Sequence, residues 1–227
     1  MDFTDRHVVV TGGTGALGTA LIHRLLVLGA VVHVPAFEQP VDPAWPHHGR
    51  VQLTEGVDGT DEAAVLAFYA ALPRLWASIH CAGGFAMSDL GDTALAQQRR
   101  MMAMNFDTCF LSCRGAAGAM DDGGRIVNVA ARPALEPRSG AGMAPYTASK
   151  AAVAALTSAL AAELADRRIL VNAVAPSIID TPANRAAMPG ADHASWVPPQ
   201  DLADTILWLA SPANAGSGGV LPVYGRA

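Results

Sequence analysis

The sequence predicts an α/β chain built on a buried parallel sheet, and three observations carry that expectation. Short apolar runs alternate with helical patterns at the spacing of successive strand–helix units. Most of those runs are continuous rather than alternating, as strands covered on both faces require. The first of them, Val8-Val9-Val10, feeds the turn Thr11-Gly12-Gly13-Thr14-Gly15-Ala16-Leu17-Gly18 and then Leu21, Ile22, Leu25 and Leu26 at helical spacing. Strands are expected at His7 to Thr11, Ala30 to Val34, Arg50 to Thr54, Trp76 to Cys81, Gly124 to Val129, Ile169 to Ala175 and Gly219 to Val223, with crossover helices between them. At 227 residues and 51% hydrophobic composition, one domain over 1–227 is expected. Pro40 to Pro46 reads as a proline-rich surface loop. Pro182 to Pro199, rich in Pro, Ala and Asp with Trp196 inside, reads as a loop that covers substrate at the carboxyl edge of the sheet.

The glycine turn carries the first functional signal. Glycines let the backbone pass tightly and approach a pyrophosphate, and the following helix start offers unpaired N–H groups and the positive end of its dipole. A tight turn alone would also explain the glycines, but at the first strand–helix junction dinucleotide binding is the favoured reading. The second signal is Tyr146-Thr147-Ala148-Ser149-Lys150. On an Ala-rich helix the phenol and the ammonium share one face, one turn apart. A nearby cation favours phenolate, so Lys150 is expected to lower the tyrosine's pKa from about 10 toward the neutral range.

Charge and composition exclude several classes. Fifteen basic against 20 acidic residues give a net charge of -5, without a basic stripe, so nucleic acid and anionic membrane surfaces are not expected partners and a small molecule is. No uncharged apolar run reaches the roughly 18 residues of a membrane helix and no signal segment precedes the first strand, so a cytoplasmic location is expected. Three cysteines fit a reducing compartment, with Cys109 and Cys113 one helical turn apart as small buried residues. His47-His48 and the scattered histidines lack the spacing of a zinc site, and no metal is assigned.

Together these residues resemble the short-chain dehydrogenase/reductase family over almost the whole chain. The carriers are Thr11 to Gly18, Val57-Asp58-Gly59-Thr60-Asp61, His80-Cys81-Ala82-Gly83, Asn105, Tyr146 with Lys150, and Pro176-Ser177 with Thr181. The resemblance implies a Rossmann-like, doubly wound sheet in the order 3-2-1-4-5-6-7, as a three-layer sandwich, and an NAD(P)H-dependent oxidoreductase. It implies that Gly12, Thr14, Gly15, Ala16, Leu17 and Gly18 hold the cofactor with Asp58, Ala82, Gly83 and Gly84. Pro176, Ile179 and Thr181 would lie by the nicotinamide, which Tyr146 and Lys150 also approach. Tyr146 would be the acid, Lys150 would tune it and bond the ribose, and Asn105 would position a water linking Lys150 to solvent. Pairing of the Asn105 and Tyr146 helices in a homodimer or homotetramer is implied too, with Ala151, Ala152, Ala154 and Ala155 permitting close approach.

Ala131 stands where most family members have a catalytic serine, and Ser139 further on reads as a polar turn residue rather than a substitute. A serine-lacking branch, the dihydropteridine reductases, is similar at Gly12 to Gly18, Ala82-Gly83-Gly84-Phe85, Ala130 to Leu135 and Asp180 to Arg185, followed by Met188-Pro189 and Ser195-Trp196. A C=N or quinonoid substrate places developing charge on nitrogen and suffers less from the missing donor than a ketone does. Phe85 and Trp196 are candidates to sandwich a flat substrate, while Met101, Met102 and Met104 are read as packing. Pro35 ends the second strand, Glu38 is the nearest carboxylate and no cation lies between Ala36 and Asp42, which favours NADH. An ordinary carbonyl or alcohol oxidoreductase, a redox-neutral isomerase or cyclase, and a non-catalytic nucleotide sensor remain as other readings.

Overall fold

The structure, a computed structural model, describes residues 1–37 and 45–226. Seven parallel strands form one sheet in the order β3-β2-β1-β4-β5-β6-β7. They are β1 (His7–Thr11), β2 (Val31–Ala36), β3 (Val51–Glu55), β4 (Ala77–His80), β5 (Arg125–Val129), β6 (Leu170–Pro176) and β7 (Val220–Val223). The helices are α1 (Ala16–Val27), α2 (Glu62–Ala70), α3 (Leu95–Met102), α4 (Thr108–Ala119), α5 (Arg132–Leu135), α6 (Ala144–Glu163), α7 (Pro182–Ala187) and α8 (Pro199–Ala210), with a π-helical turn at Ala103–Asp107 joining α3 to α4.

The continuous apolar strands are explained by what covers them. Val8 and Val10 of β1 pack with Leu21 and Leu25 of α1 and Leu202 and Ile206 of α8. Val9 points the other way, among Val65 and Phe68 of α2, Cys109 and Cys113 of α4, and Val153 of α6. The side-chain period of two therefore sends alternate residues into two separate cores, giving three layers. Strand order reverses at β1, which lies between β2 and β4, and in open sheets ligands bind outside the carboxyl ends at such a switch point.

Boundaries differ from the sequence expectation by one or two residues. β2 continues to Ala36, because Pro35 and Ala36 pair with Thr54 and Glu55 of β3. The β1 pairing stops at His33, so the N–H that Pro35 lacks costs no bond on that side. Of the expected loop Pro40 to Pro46, residues 40–44 lie outside the described residues; Trp45 is buried, and its indole N–H donates to the Gly13 carbonyl at 3.0 Å. The segment after Thr181 is partly helical. Thr181 caps α7 by accepting from Asn184 N, Ile179 pairs with Val197, and a 3-10 turn covers His193–Ser195. Among the described residues no helix is long and apolar enough to cross a membrane.

Candidate active site

The glycine turn is shaped by close backbone approach. Gly12 has φ +65, and a Cβ there would lie 2.6 Å from Ala82 N, so only glycine lets β1 and β4 end side by side. Gly15 precedes α1 in an extended conformation without a side-chain cap, which leaves the first N–H groups of that 12-residue helix to serve an anion. Beside it opens a cavity of about 500 Å³ lined by Thr11, Gly12, Thr14, Asp58, Ala82 and Gly83, among others. Asp58 is fixed at its rim: its Oδ1 accepts from Thr60 N at 2.8 Å and Thr60 Oγ1 at 2.7 Å. Those bonds hold its carboxyl below the usual range and keep it ionised. Bare main-chain amides, a glycine at the one point of the turn where a Cβ would strike β4, and one fixed carboxylate fit a dinucleotide.

Five of the sequence-selected cofactor residues thus share one cavity, and Gly15, Ala16, Leu17 and Gly18 form the adjoining turn and helix start. Gly84 lies one residue beyond, Pro176 is the last residue of β6, and Ile179 and Thr181 follow it. Glu38 falls outside the described residues. The cavity also takes Phe37, Arg100, Met104 and Ser112, which the sequence reading missed. Met104 is accordingly a wall rather than packing alone. Arg100, Met104, Thr108 and Ser112 recur every four residues along α3 and α4, a spacing that would have found them.

Lys150, buried on α6, donates from Nζ to the Val129 carbonyl at 2.8 Å. Burial pushes its pKa down to about 8, against the opposing pull of Cys109 and Cys81. Tyr146 departs from the sequence expectation: burial pushes its pKa up to about 12, and Lys150 is not among the causes. The shared helix face places the two residues together, but the ammonium is drawn to the β5 carbonyl instead of the phenol. Phe85 stands against Tyr146 edge-on, with ring centroids 5.0 Å apart.

Asn105 sits buried in the π-helical turn, a local widening that recurs at functional sites. Its Oδ1 accepts from Gly84 N at 3.0 Å. Its Nδ2 donates to Gly84 O and to Ser149 Oγ, both at 3.1 Å, and Ser149 Oγ donates to the Tyr146 carbonyl at 2.7 Å. The amide expected to hold a water therefore clamps the backbone of the β4 loop to the first turn of α6. A Cβ at Gly83 would fall 2.6 Å from Asn105 Oδ1 and 3.4 Å from Lys150 Nζ, so the loop passes through the gap between those two side chains.

Ala131 is buried at the start of α5 and supplies no side-chain cap. Ser139 does not replace it: the side chain is exposed and donates to Glu136 O at 2.8 Å, as a turn residue does. Of the two aromatic candidates, only Phe85 offers a face, being 57% exposed. Trp196 is 5% exposed with its ring 4.5 Å from that of His193, so it packs the segment after α7 rather than walling a substrate.

A glycine cradle at the switch point beside a Tyr-x-x-x-Lys helix defines a nucleotide-dependent oxidoreductase of the short-chain kind. A family model described as short chain dehydrogenase matches residues 6–191. The 3beta-hydroxysteroid dehydrogenase 1 of Eggerthella lenta is 31% identical, over 92% of this chain and 88% of its own length. Among solved structures, a short-chain dehydrogenase/reductase from Serratia marcescens superposes with a TM-score of 0.89 at 28% identity, covering 100% of both chains. BdcA in complex with NADPH gives 0.88 at 27% identity, covering 99% of this chain and 95% of that one. The chain belongs to the short-chain dehydrogenase family and is an NAD(P)-dependent oxidoreductase.

Proposed function

We propose that the chain reduces a C=N or quinonoid substrate, of the dihydropterin or imine kind, with NAD(P)H. The observation that supports this reading is Ala131, an apolar side chain at the end of β5 where a hydroxyl would serve a ketone oxygen. Losing one preorganised donor of that sort costs on the order of 10² to 10³ in rate, and a nitrogen-centred charge needs it less. The bound cofactor supplies the hydride. Gly12, Thr14 and the α1 N-terminus would hold its phosphates, Asp58 would serve its adenine side, and Lys150 would bond its ribose. Tyr146 delivers the proton. Burial keeps its hydroxyl protonated at neutral pH, so the proton is present when hydride arrives. The exposed Phe85 ring, edge-on to Tyr146, gives a flat acceptor an aromatic surface beside that proton.

NADH is the favoured donor, because Pro35 and Ala36 close β2 without a cation; Arg100 is the cation that the cavity offers a 2′-phosphate. Ala36→Arg is expected to shift the ratio of dissociation constants toward NADPH, and an unchanged ratio would place the ribose pocket elsewhere. The serine-lacking branch that the sequence resembles is that of the dihydropteridine reductases. Assembly through the α4 and α6 faces as a homodimer or homotetramer, in the cytoplasm, completes the reading and is tested by sedimentation. The decisive assay follows NADH and NADPH absorbance against quinonoid dihydropterin, cyclic imines, quinones and ketones. Turnover of simple ketones far faster than of imines and dihydropterins would favour the carbonyl reading, which the name of the Eggerthella lenta relative supports.

A further inference from the structure

Behind the cavity wall, on the side of α4 that faces the sheet, lies a cluster that hydride transfer does not use. His80 closes β4, and Cys109 and Cys113 stand one turn apart on α4; all three are buried. Their ligand atoms fall within 4.8 Å of one another. Histidine spacing could not show this, since His80 is 29 positions before Cys109 and the sheet brings them together.

The distances describe one face of a tetrahedron, and Cys109 Sγ stands within 4.8 Å of its His80 and Cys113 corners. Cys113 Sγ is 3.6 Å from His80 Nδ1 and 3.5 Å from Asn128 Oδ1, while Nδ1 and Oδ1 are 2.8 Å apart. Bonds of about 2.0–2.3 Å to nitrogen, oxygen and sulfur set tetrahedral ligand edges at about 3.3–3.8 Å. Two edges already have that length, and the third needs to open by about half an ångström. Asn128 is oriented for the purpose: its Nδ2 donates to Thr157 Oγ1 at 2.9 Å, whose hydroxyl donates to Val153 O at 2.8 Å, so Oδ1 faces His80 and Cys113.

We propose that His80 Nδ1, Cys109 Sγ and Cys113 Sγ, with Asn128 Oδ1 as fourth ligand, form a buried site for a thiophilic divalent ion of the zinc class. Two thiolates, a neutral imidazole and a neutral amide around a divalent ion carry no net charge, as so enclosed a place demands. Binding involves no redox change. Each thiol loses its proton as its sulfur–metal bond forms. The imidazole stays neutral by changing tautomer, because Nδ1 now donates to Asn128 and must become a ligand. Its proton moves to Nε2, which then donates to Ser78 Oγ, at 2.8 Å. Ser78 in turn donates to Tyr69 OH, at 2.9 Å, and Tyr69 turns toward Ser112, its other partner. The chain Ser78–Tyr69–Ser112 thus supplies the outer hydrogen bonds that orient a metal-bound imidazole. The ion would tie β4, β5 and α4 together one residue before Cys81, where the nucleotide loop begins.

The test uses untagged, reduced, chelator-treated protein titrated with cobalt(II), then zinc(II). One equivalent of cobalt is expected to give the intense visible bands of tetrahedral thiolate coordination, with about two protons released per ion, and zinc is expected to displace it. Cys109→Ser and Cys113→Ser should each weaken binding at least 100-fold, while Cys81→Ser should leave it unchanged. Ser78→Ala keeps every ligand and should weaken binding about 10-fold through the second partner of His80, a readout that survives if the cysteine variants fold poorly. Absence of the tetrahedral bands in the parent protein would overturn the site, as would bands that persist in folded Cys113→Ser or vanish in Cys81→Ser.

Discussion

Ala131→Ser returns a hydroxyl to the end of β5 and separates two effects that the structure makes distinct. Residue 131 has φ -161 and ψ 161, precedes α5 directly, and its carbonyl accepts from Ala134 N at 2.9 Å. Serine in that extended conformation is a good N-cap whose Oγ accepts from the same Ala134 N–H, since Pro133 has none to give. The cap contributes about 1 kcal/mol, which for a chain of this size raises the melting temperature by about 2–4 °C. A hydroxyl that accepts from the backbone keeps its own proton to donate, so the substrate-facing donor remains available. Against a ketone that donor is worth on the order of 10² to 10³ in kcat/KM, or about 2.7–4 kcal/mol, and against an imine far less. The assay is NADH oxidation with a matched ketone and cyclic imine, alongside calorimetry. A raised melting temperature with the ketone-to-imine ratio unmoved would refute the argument that Ala131 sets substrate class.

Tyr146→Phe is expected to abolish turnover while the dissociation constant for NADH changes by less than about threefold, because the phenol acts on substrate rather than on the cavity; retained turnover in a stopped-flow trace would assign the proton to another group. Gly83→Ala drives a Cβ to 2.6 Å from Asn105 Oδ1, and overpacking of this kind costs about 1–3 kcal/mol. Both nucleotide affinity and melting temperature should fall, and a variant with wild-type values of each would show that the clamp is slack. His33, whose Nε2 lies 2.9 Å from His7 Nδ1, has its pKa lowered to about 4 by burial first and His7 second. The unfolded chain takes up that proton below about 6.5 and the folded chain resists it down to about 4, so stability contributed by the neutral ring is full above pH 6.5 and is lost as pH falls. The melting temperature should drop over that window more steeply than in His33→Val, and parallel curves would contradict the linkage.

What could be read from the chain was what a single element encodes. The glycine turn announced itself because backbone conformation and helix start lie within eight consecutive residues, and Tyr146 with Lys150 because helical spacing fixes which residues share a face. Where the far end of a side chain goes was not legible. Lys150 reaches a carbonyl on β5, a partner 21 positions away, and Asn105 spends its amide on Gly84 and Ser149. Trp45 under Gly13, and His80 beside Cys109 and Cys113, depend on sheet order, which periodicity does not specify. The end of β2 was set by pairing with β3, not by its own composition, so the apolar pattern stopped short of Ala36.

The wide turn at Ala103–Asp107 governs how the halves of one long rod are phased. Ala103 and Thr108 both line the cavity beside the glycine turn although they are five positions apart. In a uniform α-helix, residues five apart point about 140° away from each other, whereas one i→i+5 loop brings them into line. Excising a single residue there would rewind the rod and swing Thr108, Ser112 and both cysteines of α4 about 100° around its axis. The inserted residue acts as an angular spacer, aligning two stretches of sequence onto the same side of the molecule.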